Sequence, residues 1–270
     1  MAFIMTDSSK NLATLDSAFL EEIYEEYNRR ETTKSDPLHF LYRYQKNEDV
    51  EIAGLIASSL AYGRTSQICK SVGLILDKMK SPYDFITGIK SDEFSGVFRG
   101  FKHRFTTEAE LVELLISTKS IVEQYGSLES CFMSGYGKAD ETVYPALRSF
   151  AARLLNSRKR SSLIPMPEGK SAFKRLNLYL RWMVRSDDID TGIWKDIPTS
   201  KLIIPLDTHT HRAGLYFSLT KRKQNDIKTA LEITSALKKL NPDDPVKYDF
   251  ALTRYGINNK QIMESSDKSK

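Results

Sequence analysis

Two residues in the second half of the sequence have the types that nucleophilic chemistry needs. Lys174 stands in Lys170-Ser-Ala-Phe-Lys-Arg-Leu-Asn-Leu-Tyr-Leu-Arg-Trp-Met-Val-Arg185, a run with helical spacing and a basic stripe. Asp207 stands in Ile203-Ile-Pro-Leu-Asp-Thr-His-Thr-His-Arg212, where an apolar segment ends in Pro and an acidic residue opens a new helix. An amine and a carboxylate brought together in a basic cleft can attack a sugar carbon and stabilise the cation that develops there. Whether they do so depends on the elements that carry them.

On the first of those elements, Ala172, Leu176, Tyr179, Leu180 and Met183 make the apolar face of a helix expected over 171–184. Lys170, Lys174, Leu178, Arg181 and Arg185 follow one another at spacings of three to four on another face. Cations a turn away on the same helix, with Arg175 beside it, would disfavour the protonated form of Lys174, as a nucleophilic amine requires. Read blandly, Lys174 is an ordinary surface lysine. Asp207 is a natural N-cap for a helix over 208–218, and capping alone is its bland reading. Asp207, His209 and His211 also invite a metal reading. However, residues two apart on a helix point to opposite sides and no fourth ligand cluster accompanies them, so one His is expected to pack and the other to face the cleft. No metal is expected.

The remaining pattern is helical almost throughout. Helices are expected over 15–30, 38–44, two within 50–79 separated near Tyr62-Gly63-Arg64, a short one after Ser81-Pro82, then 107–125, 141–155, 225–239 and 244–255. The helix over 107–125 carries a capping signature in Thr106-Thr107 and Glu110. Leu202–Ile204 alone resembles a strand and is too short to build a sheet. The ends, 1–14 and 265–270, read as disordered. An all-α protein is expected.

Composition bounds the function. The chain has 270 residues, of which 40% are apolar and 28% charged, enough for a full core in one large domain or two lobes. No stretch approaches the length of a membrane span, and the start lacks a secretory pattern, so a cytoplasmic protein without membrane contact is expected. Cys69 and Cys131 lack ligand spacing and read as reduced thiols; no C-x-x-C pair supports zinc or an iron–sulfur cluster. The formal charge is +5, yet nine basic residues and a single acid, Glu168, lie between Arg153 and Arg185. That concentration suggests a face for a polyanion, against the bland alternative of solvated helix surface.

The order of a basic helix carrying a lysine, a Pro-Leu-Asp-Thr-His segment, and Tyr248-Asp-Phe-Ala-Leu-Thr-Arg-Tyr-Gly-Ile257 resembles the catalytic half of the helix-hairpin-helix DNA glycosylases. The nearest likeness is to a bacterial branch related to archaeal-type 8-oxoguanine glycosylases. Leu55-Ile-Ala-Ser-Ser-Leu-Ala-Tyr-Gly-Arg-Thr-Ser66 is similar to the first core helix and damaged-strand loop of those enzymes, and Gly100-Phe-Lys-His-Arg-Phe105 to a Gly-aromatic-basic element. The resemblance implies a two-lobed fold with the active cleft between lobes, lobe one about 47–160 and lobe two about 15–46 plus 161–264. Within it Lys174 matches the lysine of bifunctional members and Asp207 the catalytic aspartate. Two departures stand out. The usual Leu-Pro-Gly-x-Gly hairpin is here Pro165-Met-Pro-Glu-Gly-Lys-Ser with Gly169 alone, and Lys174 and Asp207 lie 33 positions apart, farther than in most members. That connection holds Asp187, Asp188, Asp190 and Trp194.

The resemblance further implies base-excision repair: a glycosylase with AP-lyase activity on an oxidised purine such as 8-oxoguanine. The partner would be double-stranded DNA carrying a damaged base, with no cofactor, and the protein would act as a monomer. A lesion base must be flipped into a pocket. Candidates for that pocket are Tyr62, Phe101, Trp182, Trp194, His209 and His211; each of the four aromatics has a core residue as its bland reading. Candidates for DNA contact are Arg64, Arg158, Lys159, Arg160, Gly169, Lys170, Arg181 and Arg185. Two alternatives stay open: a catalytically inactive DNA-binding relative, and an all-α scaffold whose basic stripe meets an acidic protein.

Overall fold

The computed structural model describes residues 15–259 and Gln261, and the two expected disordered ends lie outside them. Twelve helices follow in order: α1 (Ser17–Tyr27), α2 (Asn47–Ser59), α3 (Thr65–Met79), α4 (Pro82–Gly88), α5 (Phe94–Val97), α6 (Glu108–Tyr125), α7 (Leu128–Met133), α8 (Tyr144–Leu155), α9 (Lys174–Val184), α10 (Thr208–Tyr216), α11 (Ile227–Leu240) and α12 (Asp249–Asn258). Short 3₁₀ turns occupy Arg30–Thr33, Pro37–Arg43, Ser91–Glu93 and Thr199–Lys201. The described residues are all-α apart from one small hairpin, β1 (Lys102–His103) and β2 (Thr106–Thr107), paired antiparallel.

Local chemistry explains most boundaries. Thr107 and Glu110 close a reciprocal capping box at the start of α6, and Gly126 ends that helix with φ 85°, a conformation glycine adopts without a Cβ clash. Asp36 before Pro37 and Ser81 before Pro82 each cap a turn whose first residue has no amide to satisfy. The expected helix over 171–184 starts only at Lys174, because Phe173 takes a left-handed φ of 52° that a helix cannot propagate through. Leu202–Ile204 forms no strand; the amide of Ile204 donates to the Thr234 hydroxyl instead, at 3.0 Å.

α2 is the axis of the core: every residue from Asp49 to Ser59 is buried. α3, α4 and α7 pack on it, α6 packs on α4, α7 and α8, and α9 crosses its other flank. Gly54 permits that crossing, since a Cβ there would lie 2.8 Å from Met183 Cε and 3.3 Å from Tyr179 Cε2. α1 and α10 pack on α12. One continuous hydrophobic cluster runs through all of these elements. Inside it, Glu51 of α2 accepts hydrogen bonds from the Leu128 and Glu129 amides, both 3.1 Å, and from Trp194 Nε1 at 2.6 Å. Burial pushes this carboxyl up to about 7 against those donors. Among the described residues no helix is long and apolar enough to cross a membrane.

Candidate active site

The positions of Lys174 and Asp207 are set by two helix starts. Lys174 is the first residue of α9, and its ammonium donates to the Ala61 carbonyl, just past α2, at 3.2 Å. Asp207 caps α10: Oδ1 accepts from the amides of His209 at 2.8 Å and Thr210 at 2.9 Å. Oδ2 is thereby turned away from the helix, and it lies 3.7 Å from Lys174 Nζ. Both side chains are partly exposed on the wall of a cleft of about 780 Å³, a size that takes a ligand as large as a nucleoside. The sequence therefore places its two chemically suggestive residues against each other.

Asp249, which sequence patterns leave in an apolar run, also lines the cleft. It is 3% exposed; Oδ2 takes the Arg181 guanidinium at 2.7 Å, and Oδ1 has no partner among the described residues. Burial pushes its carboxyl up to about 6 despite Arg181, with the nearby charges of Asp207 and Asp190 adding to the rise. Arg175 is the other cleft residue of note. Its Nη1 donates to the carbonyls of Ser59 and Ser162 at 2.9 and 2.6 Å, and its guanidinium lies 5.1 Å from the Tyr62 ring centroid. Burial lowers its pKa, and no carboxylate pairs with it among the described residues.

Several expected site residues sit elsewhere. Trp182 and Trp194 are 0% and 1% exposed. Trp194 packs on Phe132 and Tyr179, so neither indole can meet a flipped base. Phe101 is half-buried against the core and does not line the cleft. Tyr62 and His209 do line it, whereas His211 turns away and its Nε2 meets the Arg222 carbonyl at 2.8 Å. Asp207, His209 and His211 therefore do not converge on one point.

The basic stripe is also divided. Arg181 and Arg185 are 3% and 4% exposed. Arg181 pairs with Asp190 and Asp249; Arg185 pairs with Asp187, Asp190 and Asp244. These cations are matched by carboxylates from the following connection and from α12 and the turn before it, so that Arg181, although it lines the cleft, presents no unbalanced charge there, and Arg185 does not line the cleft. Arg158 is drawn inward to the Leu154 carbonyl at 2.6 Å and to Glu113 at 3.4 Å. The amide of Gly169 donates to Met166 O within its own turn, at 3.1 Å, and is not free for an anion. Arg64, Lys159, Arg160 and Lys170 remain exposed to solvent.

Residues 36–258 match the model of a family described as a protein of unknown function, DUF2400. That match spans most of the chain, which belongs to this family. No curated protein and no solved structure matches it.

Proposed function

We propose that this protein is a DNA base-excision glycosylase with AP-lyase activity, acting on an oxidised purine such as 8-oxoguanine in double-stranded DNA. The observation that carries the reading is the approach of Lys174 Nζ to within 3.7 Å of Asp207 Oδ2 on the wall of a nucleoside-sized cleft. A two-lobed glycosylase-like arrangement accords with the lining. Ala61, Tyr62, Gly63 and Phe105 come from the span of lobe one, and Lys174, Asp207 and Asp249 from that of lobe two.

In this mechanism the lesion nucleotide leaves the base stack and enters the cleft. The C1′–N bond breaks with its electron pair going to the base, which takes a proton. Asp207 Oδ2 faces the positive charge that develops on the sugar. Lys174 Nζ, after losing a proton, forms a bond to C1′; opening of the sugar ring gives an iminium. Loss of a C2′ proton then expels the 3′ phosphate and breaks the strand. The Ala61 carbonyl orients the amine, and the two amides on Oδ1 leave Oδ2 to face the developing charge.

Borohydride added during turnover on a duplex with a single 8-oxoguanine should link protein to DNA, and Lys174→Gln should remove the link. A link of undiminished yield in Lys174→Gln would move the nucleophile to another residue. Absence of any link across a panel of single-lesion duplexes would overturn the lyase reading.

A further inference from the structure

Among the described residues, Leu74, Phe105 and Ile257 are the large apolar side chains left exposed, and two of them, Phe105 and Ile257, line the cleft. Phe105 is the more exposed, at 63%, on the two-residue tip of the β1–β2 hairpin. Its neighbour at the tip, Arg104, is held at φ 54°, a conformation that costs a non-glycine residue about 1 kcal/mol or more.

The base of the hairpin is fixed. His103 is fully buried, with Nε2 at 3.1 Å from the Tyr62 carbonyl and Nδ1 at 2.9 Å from the Ser71 hydroxyl. The carbonyl can only accept, so Nε2 carries the proton and Nδ1 accepts from Ser71. The Tyr62 hydroxyl donates to the His103 carbonyl at 2.9 Å, and Thr106 meets both Tyr62 and Ser162 through its hydroxyl. A strained tip on a rigid, buried base presents Phe105 and Arg104 in one orientation.

One face of the Phe105 ring already has a partner: it stacks on Tyr62 at 4.9 Å between centroids and 20° between planes. With 63% of the side chain exposed, most of the ring surface not covered by Tyr62 is open to solvent. Such a ring cannot slide between two stacked bases, which would need both faces free. It can end a stack, taking one flat aromatic group on its outer face. The charge around it identifies that group. From Arg99 to Glu108 there are three cations, Arg99, Lys102 and Arg104, all exposed, and one acid, Glu108, whose carboxylate accepts from the Gly100 amide at 2.6 Å at the foot of the hairpin. The Arg104 guanidinium lies over the Phe105 ring, 6.0 Å from its centroid, with its side chain running back against Gly63, so a cation stands within reach of an anionic group attached to anything stacked there.

We infer that Phe105, backed by Tyr62, is a one-sided stacking platform for an unpaired nucleobase, and that the cleft selects DNA in which a base beside the reacting nucleotide is unpaired. This deepens the glycosylase reading and rests on it for the identity of the reacting nucleotide. A paired base keeps its faces within the duplex and cannot use the platform; an unpaired one in a bulge, bubble or single strand can.

The test uses the full chain and three DNAs, each with one tetrahydrofuran abasic analogue: a fully paired duplex, the same duplex with one neighbouring base unpaired, and the single strand. 2-Aminopurine replaces the unpaired base. Stacking one base on an aromatic ring contributes about 1–3 kcal/mol, so the unpaired-base DNA should bind about tenfold more tightly than the paired duplex, with quenching of the 2-aminopurine. Phe105→Ala should bring its affinity down to that of the paired duplex and abolish the quenching, Phe105→Trp should restore both, and Leu74→Ala should change neither. Equal affinity for paired and unpaired forms, a preference that survives Phe105→Ala, or no binding to any of the three would overturn the platform. Borohydride linkage of Lys174 without that preference would overturn the platform alone. The preference without linkage would leave the platform standing and remove the lyase chemistry.

Discussion

Replacing Asp207 separates its two structural jobs, because each oxygen does one of them. Asp207→Asn keeps an acceptor at Oδ1 for the His209 and Thr210 amides and so preserves the cap on α10. What it removes is charge. The attraction between a carboxylate and the helix start is worth about 0.3–1 kcal/mol. The pair with Lys174, at 3.7 Å and partly exposed on both sides, contributes less than about 1 kcal/mol. The Asn variant should therefore lose no more than about 2 kcal/mol, and Asp207→Ala, which loses the same charge and the cap as well, should melt lower still, by about 0.5–2 kcal/mol. Catalysis should order them differently. In the proposed mechanism Oδ2 faces the charge that forms on the sugar, and losing one preorganised group of this kind lowers turnover about 10²–10³-fold. Asn and Ala should then be nearly equally poor enzymes while differing in melting temperature. Thermal melts and single-turnover excision at one pH measure both quantities. If folded Asp207→Asn turns over within about threefold of the parent, far less than removal of a charge-stabilising group produces, Asp207 is a cap and the mechanism is wrong.

Two further contrasts follow from the burial of charge. Arg181→Met leaves Asp190 and Asp249 without their shared partner and should destabilise the fold by about 3–5 kcal/mol, while the salt dependence of DNA affinity stays as in the parent. Replacing the exposed Lys159 and Arg160 with Ser should do the reverse, leaving the melt unchanged and flattening the slope of log affinity against log salt by about 0.9 for each phosphate no longer neutralised. Glu51 supplies a pH test. Its folded value, about 7, lies above the ordinary 4.5, so the native state holds a proton the unfolded chain releases. The stability this gives is full below pH 4.5 and is lost as pH rises through 7. Glu51→Gln should be less stable at every pH, since one amide oxygen cannot serve all three donors, but its deficit should shrink between pH 4.5 and 7. A deficit that stays constant across that range would show that Glu51 does not titrate there.

Lys174 and Asp207 could be singled out because each signal is local, a lysine on an amphipathic helix and an acid at a helix start after Pro-Leu; that they approach each other was implied by the family resemblance alone, since local patterns say nothing of contact. The fate of the basic stripe was not legible. Helical spacing puts Arg181 and Arg185 on one face but says nothing of what covers it, and their carboxylates come from Asp187 and Asp190 in the connection and from Asp244 and Asp249, far along the chain. Asp249 itself hides in the apolar run Tyr248-Asp-Phe-Ala-Leu, where only the docking of α12 gives it an environment. The hairpin escapes sequence patterns for two reasons. Its strands have two residues each, too few for an alternation, and its tip carries Arg104 at positive φ where Gly or Asn would have signalled a turn. Trp182 and Trp194 are core, the first on α9 and the second in the connection that follows it.

The bond from Lys174 to the Ala61 carbonyl ties the Lys174 amine to the end of a helix buried along nearly its whole length. Amide hydrogens in such a helix exchange with solvent only when the whole molecule opens. The amine's anchor therefore belongs to the slowest-exchanging part of the chain, whereas the loop that carries Lys159 and Arg160 belongs to the fastest. Deuterium labelling should separate the two by orders of magnitude in time. Gradual warming should then loosen the loop of Lys159 and Arg160 well before it disturbs the position of Lys174.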